Sequence, residues 1–260
     1  MLLKIKKIVS KKNRSKIVCL TAYSKNIASI LDNHCDIILV GDSLGSVLYN
    51  YPTTRKVTLN TMIEHSKSVK KGIKKSLMVV DMPYKTYSNP KEALINAKKI
   101  ISQTGCDAVK LEGGNKIIKT VRYLIKNKVQ VMGHIGLLPQ SIKGNFIFKG
   151  KSKTERNKIL NDAKVLSSSG VFSIVLECVE KSLAKMITNS VKVPTIGIGS
   201  SAHCDGQVLV TDDLLGLNPN NFRFVKKYTN LRKIIDKSAR LFKKEVIKKS
   251  FPKNKNTYQV

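Results

Sequence analysis

The stretch Ile37-Ile38-Leu39-Val40-Gly41-Asp42-Ser43-Leu44-Gly45 carries the pattern from which the rest of the chain is read. An unbroken aliphatic run suits a strand buried on both faces, as in a parallel sheet. The carboxylate and hydroxyl that end it sit where α/β proteins place their chemistry. Five more stretches repeat the design: Leu77-Met78-Val79-Val80 before Asp81-Met82-Pro83, Ala108-Val109-Lys110-Leu111-Glu112 before Gly113-Gly114, Val129-Gln130-Val131-Met132-Gly133 before His134, Ser173-Ile174-Val175-Leu176 before Glu177, and Thr195-Ile196-Gly197-Ile198-Gly199 before Ser200-Ser201. Two further candidates, 17–23 and 207–210, make eight.

Helical segments fall between these strands. Ser24 is placed to cap a helix over 25–33, with Ile27, Ala28, Ile30 and Leu31 inward. Thr58 opens a second, carrying Met62, Ile63, Val69 and Ile73. Asn89-Pro90-Lys91-Glu92 starts a third with proline in its first turn. Others are predicted over 115–127, 154–169 with Gly170 as its cap, and 180–189, with an amphipathic helix over 229–248. Strands and helices alternating every 20–40 residues indicate an α/β protein with a (β/α)8 TIM barrel; a doubly wound open sheet is the alternative. No linker composition interrupts the chain, so 1–260 reads as a single barrel domain with a short N-terminal extension and a C-terminal helix and tail.

Composition narrows the functional class. No apolar run reaches the ~18 residues of a membrane span, and the N-terminus lacks a signal-peptide core. The cysteines Cys19, Cys35, Cys106, Cys178 and Cys204 are far apart and odd in number. They read as small buried hydrophobes in a reducing compartment, which points to the cytoplasm. The formal charge is +31, but 41 of the 48 basic residues are lysines spread along the sequence. No arginine–aromatic interleaving or nucleic-acid motif accompanies them. A solvated lysine-rich surface with weak, salt-sensitive attraction to polyanions is expected, rather than specific nucleic-acid binding.

In a barrel, Asp42, Asp81, Glu112, His134 and Glu177 converge on one mouth. Each alone is equally explained as a strand end or helix cap. Together, several carboxylates repel unless positive charge lies between them, so a divalent cation is the natural complement. Oxygen donors without a Cys or His cluster favour magnesium or a similar hard ion. Lys110, two residues before Glu112, faces the same side of its strand. His134, between Gly133 and Gly136, has room to contact an anionic ligand.

Several long stretches resemble the ketopantoate (3-methyl-2-oxobutanoate) hydroxymethyltransferase family: 40–45, Val109-Lys110-Leu111-Glu112-Gly113-Gly114, Met132-Gly133-His134-Ile135-Gly136-Leu137-Leu138-Pro139-Gln140-Ser141, Val175-Leu176-Glu177-Cys178-Val179, Cys204-Asp205-Gly206-Gln207-Val208-Leu209-Val210, Asp213-Leu214-Leu215-Gly216-Leu217 and Arg223-Phe224-Val225-Lys226. The resemblance is colinear over nearly the whole chain. It implies a barrel of the phosphoenolpyruvate/pyruvate superfamily that transfers a one-carbon unit from 5,10-methylenetetrahydrofolate to 2-oxoisovalerate, giving ketopantoate for pantothenate synthesis. By the same resemblance, Asp42 and Asp81 hold Mg2+ and Glu112 completes its shell. Asp42, Ser43, Asp81, Lys110 and His134 bind the oxo acid, and Glu177 is the general base. The resemblance further implies a large homo-oligomer, a decamer, with the C-terminal helix as candidate interface. A folate-independent, Mg-dependent lyase or mutase of 2-oxo acids on the same barrel is the alternative. Ser200-Ser201-Ala202-His203 replaces the family's small Gly-Ala-Gly segment, and 142–147 is shorter than its counterpart; both are expected in rim loops where folate sits.

Overall fold

A computed structural model describes residues 2–142 and 147–258. Residues 1–210 and 211–260 cluster as two compact units. The first holds α1 (Leu2–Val9), β1 (Ile17–Thr21), α2 (Lys25–Leu31), β2 (Ile37–Val40), α3 (Leu44–Val47), α4 (Leu59–Lys70), β3 (Leu77–Asp81), α5 (Pro90–Thr104), β4 (Ala108–Glu112), α6 (Ile118–Lys126), β5 (Val131–Gly136), α7 (Lys153–Ser168), β6 (Ser173–Glu177), α8 (Lys181–Ser190), β7 (Thr195–Ile198) and β8 (Gly206–Leu209). The strands close a parallel barrel in sequence order, β8 pairing with β1. The TIM barrel is thus present and the open sheet is not.

Strand alternation decides what faces the interior. Ile37 and Leu39 of β2, Leu77 and Val79 of β3, Ala108 of β4, Met132 of β5 and Val175 of β6 share one buried cluster, which Ile5 and Ile8 of α1 join. The opposite parity, including Ile38, Val40, Met78, Val80, Val109 and Leu111, packs with the helices in a second cluster. Counting in twos from the interior set reaches Asp81, Lys110, Glu112, His134 and Glu177. Asp81, Glu112 and Glu177 are the last inward positions of their strands, and Lys110 and His134 lie one inward step deeper.

Local signals explain the helix starts. Thr58, Asn89 and Ser152 accept backbone hydrogen bonds at their helix N-termini, from Thr61, Glu92 and Glu155, the caps that Ser, Thr and Asn favour. Ser24 stands at the N-cap of α2 but makes no side-chain cap bond. Ile30, expected inward, is 62% exposed; at 100° per residue it lies about 200° from Ala28, the buried position of α2. The C-cap of α7 is Ser169, with Gly170 following at φ 93. Three cysteines are buried, but Cys35 and Cys178 are only half-buried, and all five are free thiols.

No helix separates β7 from β8, so residues 199–205 must run from the C-terminal rim back to the N-terminal end of the barrel. Lys16, just before β1, donates to the carbonyls of Ala202 and Cys204 at 3.0 and 2.6 Å. His203 shares a surface cavity with Asn13, Arg14, Ser15, Lys16 and Asp205. Of the departing segment 200–203, then, Ala202 and His203 lie by the start of β1 and not in a rim loop. The segment 143–146 lies outside the described residues.

The second unit contains α9 (Thr211–Leu214) and α10 (Leu231–Ile247). Tyr228 and Leu231 N–H donate to the carbonyls of Leu214 and Leu215, and Asn230 caps α10. No residue of α10 is buried; Ile234, Ile235, Leu241, Phe242, Val246 and Ile247 are all exposed. Among the described residues, no helix is long and apolar enough to cross a membrane.

Candidate active site

The C-terminal rim of β2 to β6 gathers the residues singled out from the sequence. Asp42 follows β2 in a tight turn, its N–H donating to Asp81 Oδ2 at 3.0 Å. Lys110 Nζ stands 3.1 Å from Asp81 Oδ1 and 3.3 Å from His134 Nδ1. Glu112 Oε1 is 3.7 Å from His134 Nδ1, and His134 Nε2 is 3.2 Å from Glu177 Oε2. One chain of contacts therefore links Asp42, Asp81, Lys110, His134, Glu112 and Glu177. All but Glu177 are buried; Glu177, with a 17% exposed side chain, faces the open mouth. Ser43 stands half-buried beside Asp42, and its hydroxyl bonds to that of Tyr23 at 2.8 Å.

The electrostatics follow from crowding charge into a low-dielectric rim. Burial, reinforced by Asp81, pushes the Asp42 carboxyl up to about 7. Burial and the Asp42 charge hold Glu112 well above the carboxylate range. Burial alone would pull the Lys110 ammonium down, but Asp81, Glu112 and Asp42 outweigh it and hold it above its ordinary value. Burial and the Lys110 charge push His134 down, so its ring is neutral at pH 7. A charged Lys110 can only donate, which makes His134 Nδ1 the acceptor. The imidazole proton then sits on Nε2, on the side of Glu177.

Asp81, Asp42 and Glu112 share one ammonium. Asp81 Oδ1 and His134 Nε2, though close to Lys110 and Glu177, are buried without an aligned hydrogen bond. An oxygen-only donor set short of positive charge, with a buried oxygen left over, fits a hard divalent cation. No three His, Cys, Asp or Glu side chains among the described residues close on one point as a finished metal cage. Asp42 Oδ2 and Glu112 Oε2 already accept bonds from Gln140, leaving each carboxylate its other oxygen for a ligand.

Gln140 is the site residue that sequence reading passed over. It sits in a single 3-10 turn, Pro139–Ser141, within the loop after β5, and is 2% exposed. In sequence it is a glutamine in a glycine-containing loop, a pattern shared with any solvated turn. Tyr87, whose hydroxyl donates to Gln140 Oε1 at 2.5 Å, and Tyr23, within the strand candidate 17–23, were missed because a lone tyrosine carries no charge at pH 7 and no spacing that marks a site.

The chain is matched over residues 3–254 by the family described as ketopantoate hydroxymethyltransferase. It belongs to that family. The 3-methyl-2-oxobutanoate hydroxymethyltransferase of Pelagibacter ubique is 66% identical over 98% of this chain and 99% of its own. That of Rhizobium etli is 47% identical over 97% and 94%. The barrel also resembles phosphonopyruvate hydrolase, solved with oxalate and magnesium, at a TM-score of 0.62 and 9% identity over 97% of this chain and 93% of that one. It resembles 2,3-dimethylmalate lyase, of the PEP mutase/isocitrate lyase superfamily, at 0.59 and 10% over 92% and 94%. Likeness at such low identity shows the shared barrel alone. Membership of the hydroxymethyltransferase family makes the chain a transferase, and the strand-end residues above are its candidate machinery.

Proposed function

We propose that this hydroxymethyltransferase adds a one-carbon unit from 5,10-methylenetetrahydrofolate to 2-oxoisovalerate, forming ketopantoate, with Mg2+ at the carboxylate rim. One observation carries the reading: three strand-end carboxylates around a buried ammonium, with a fourth carboxylate, Glu177, across a neutral histidine. Asp42, Asp81 and Glu112 would hold the cation. Magnesium supplies Lewis-acid polarisation of the keto oxygen when bound. Lys110, itself buried, adds a fixed positive field beside the oxo acid. Ser43, oriented by Tyr23, and His134 complete its cradle.

Glu177 takes the proton from the β-carbon of the oxo acid, the step that geometry must allow before pKa matters. His134 Nε2 stands 3.2 Å from that carboxylate, close to it but not aligned as a hydrogen bond. The freed electron pair forms the new carbon–carbon bond to the folate's methylene carbon. That carbon leaves its folate nitrogens and gains a hydroxyl, so one water is consumed and tetrahydrofolate is released.

The test is hydrogen–deuterium exchange at the β-carbon of 2-oxoisovalerate in D2O, with and without Mg2+ and tetrahydrofolate. Exchange that needs the metal and is lost in Glu177→Gln is expected. Exchange that persists in Glu177→Gln removes Glu177 as the base. Ketopantoate must also form with methylenetetrahydrofolate. Breakdown of a 2-oxo acid without folate would instead mark a lyase. The exposed apolar residues of α10 support a homo-oligomer as part of this reading, while the decamer rests on the family resemblance alone.

A further inference from the structure

Gln140 makes a hydrogen bond with every polar group it owns. Its side-chain Nε2 donates to Asp42 Oδ2 at 2.8 Å and to the Met82 carbonyl at 3.0 Å. Its Oε1 accepts from the Tyr87 hydroxyl, and its backbone N–H donates to Glu112 Oε2 at 3.0 Å. Its carbonyl accepts from Arg55 Nε at 2.7 Å, and the Arg55 guanidinium lies 4.9 Å from the Tyr84 ring centroid. One residue thus ties together the ends of β2, β3 and β4 and the loops after β2, β3 and β5. A half-buried surface glutamine would leave donors to water; here the amide is fully enclosed and fully used, an arrangement that fixes geometry.

The oxygens it engages identify what is fixed. Gln140 occupies one oxygen of Asp42 through its side chain and one of Glu112 through its backbone. Both carboxylates are thereby prevented from rotating, and each presents its remaining oxygen. The identity of the side chain is also constrained. A glutamate could not donate to Asp42 and Met82, and an asparagine is one methylene too short to reach from the same backbone. The Tyr87 hydroxyl donates to Oε1. That fixes which way the amide faces and turns both N–H bonds toward Asp42 and Met82.

We infer that Gln140 is a positioning residue that sets divalent-cation affinity by holding Asp42 and Glu112 in their ligating rotamers, with Tyr87 orienting its amide. The inference rests on the cation site proposed above. It makes Gln140, in the loop after β5, part of the metal site although its own side chain is no ligand.

Mn2+ titration followed by electron paramagnetic resonance tests it without reference to turnover. Gln140→Met keeps the length and removes all side-chain bonds, while the backbone bond to Glu112 remains. The Mn2+ dissociation constant is expected to rise about 10–100-fold, as for partners that orient metal ligands elsewhere. Tyr87→Phe removes only the bond to Oε1 and should weaken Mn2+ about 2–10-fold; it decides the matter if Gln140→Met does not fold. A purely structural role would lower the melting temperature and leave the dissociation constant of the folded protein unchanged, which overturns the inference. A wild-type protein that binds no Mn2+ overturns the metal site itself, and this inference with it; the wild-type titration alone separates the two failures.

Discussion

Replacing Lys110 by methionine removes the one cation among Asp42, Asp81 and Glu112 while nearly keeping its volume. Breaking a buried pair by deleting one partner ordinarily costs about 3–5 kcal/mol, because the other charge stays behind. Here the penalty has a ceiling, since one carboxyl of the cluster can take up a proton instead. At pH 7 that neutralisation costs about 1.4 kcal/mol for each pH unit above the unfolded value of ~3.9, or about 4 kcal/mol in all. At pH 5 the same sum is about 1.5 kcal/mol. Relief from burying the ammonium makes both figures upper values. The folded variant then binds a proton that the unfolded chain does not, so its stability falls as pH rises and its deficit against the native protein widens from pH 5 to pH 7. Urea unfolding of both proteins in EDTA at the two pH values measures the difference. A loss under about 1 kcal/mol at pH 7, or a loss no smaller at pH 5, would refute the account of Lys110 as the counter-charge of the cluster.

Gly136 has φ 96, and a Cβ there would lie 2.3 Å from the Glu177 carbonyl oxygen. Gly136→Ala should therefore spread β5 from β6 at the base, with a stability loss of about 1–3 kcal/mol. β-Carbon exchange should slow by about 100-fold, as for a 1 Å misplacement; unchanged exchange would show that Glu177 tolerates the shift. Asp205 accepts from Lys12 at 2.8 Å and from the N–H groups of Asn13 and Thr195 at 3.1 and 2.8 Å. Although burial opposes it, these bonds hold its carboxyl below the ordinary value. Its contribution is present above the unfolded value of ~3.9 and lost as pH falls through the lower folded one. Asp205→Asn should cost about 1.5–3 kcal/mol at pH 7 in urea melts and progressively less toward pH 2; a pH-independent cost would contradict the charge-based account. Phe242→Asp on exposed α10 should shift the mass measured by light scattering to a smaller species, and an unchanged mass would exclude that face as an interface.

Much of this protein is decided by local sequence. The aliphatic runs at 37–40, 77–80 and 174–176 form strands buried on both faces, and with five others they close a barrel. Period-two alternation then sends Asp81, Lys110, Glu112, His134 and Glu177 inward at one rim, because side-chain direction in a strand needs no tertiary information. Thr58, Asn89 and Ser152 mark helix starts for the same reason: their caps bond within three residues. What the sequence leaves open depends on partners distant in the chain. Ile30 turns outward because the rest of α2 must present Ala28. His203 lies near Lys16 because no helix follows β7 to keep residues 199–205 at the rim. Gln140 becomes a site residue only when the barrel brings Asp42, Met82, Tyr87 and Glu112 within reach of one amide, at sequence separations of 98, 58, 53 and 28. A glutamine carries neither the charge nor the periodicity that marks a site in one dimension, so its role arises from the converging strand ends alone.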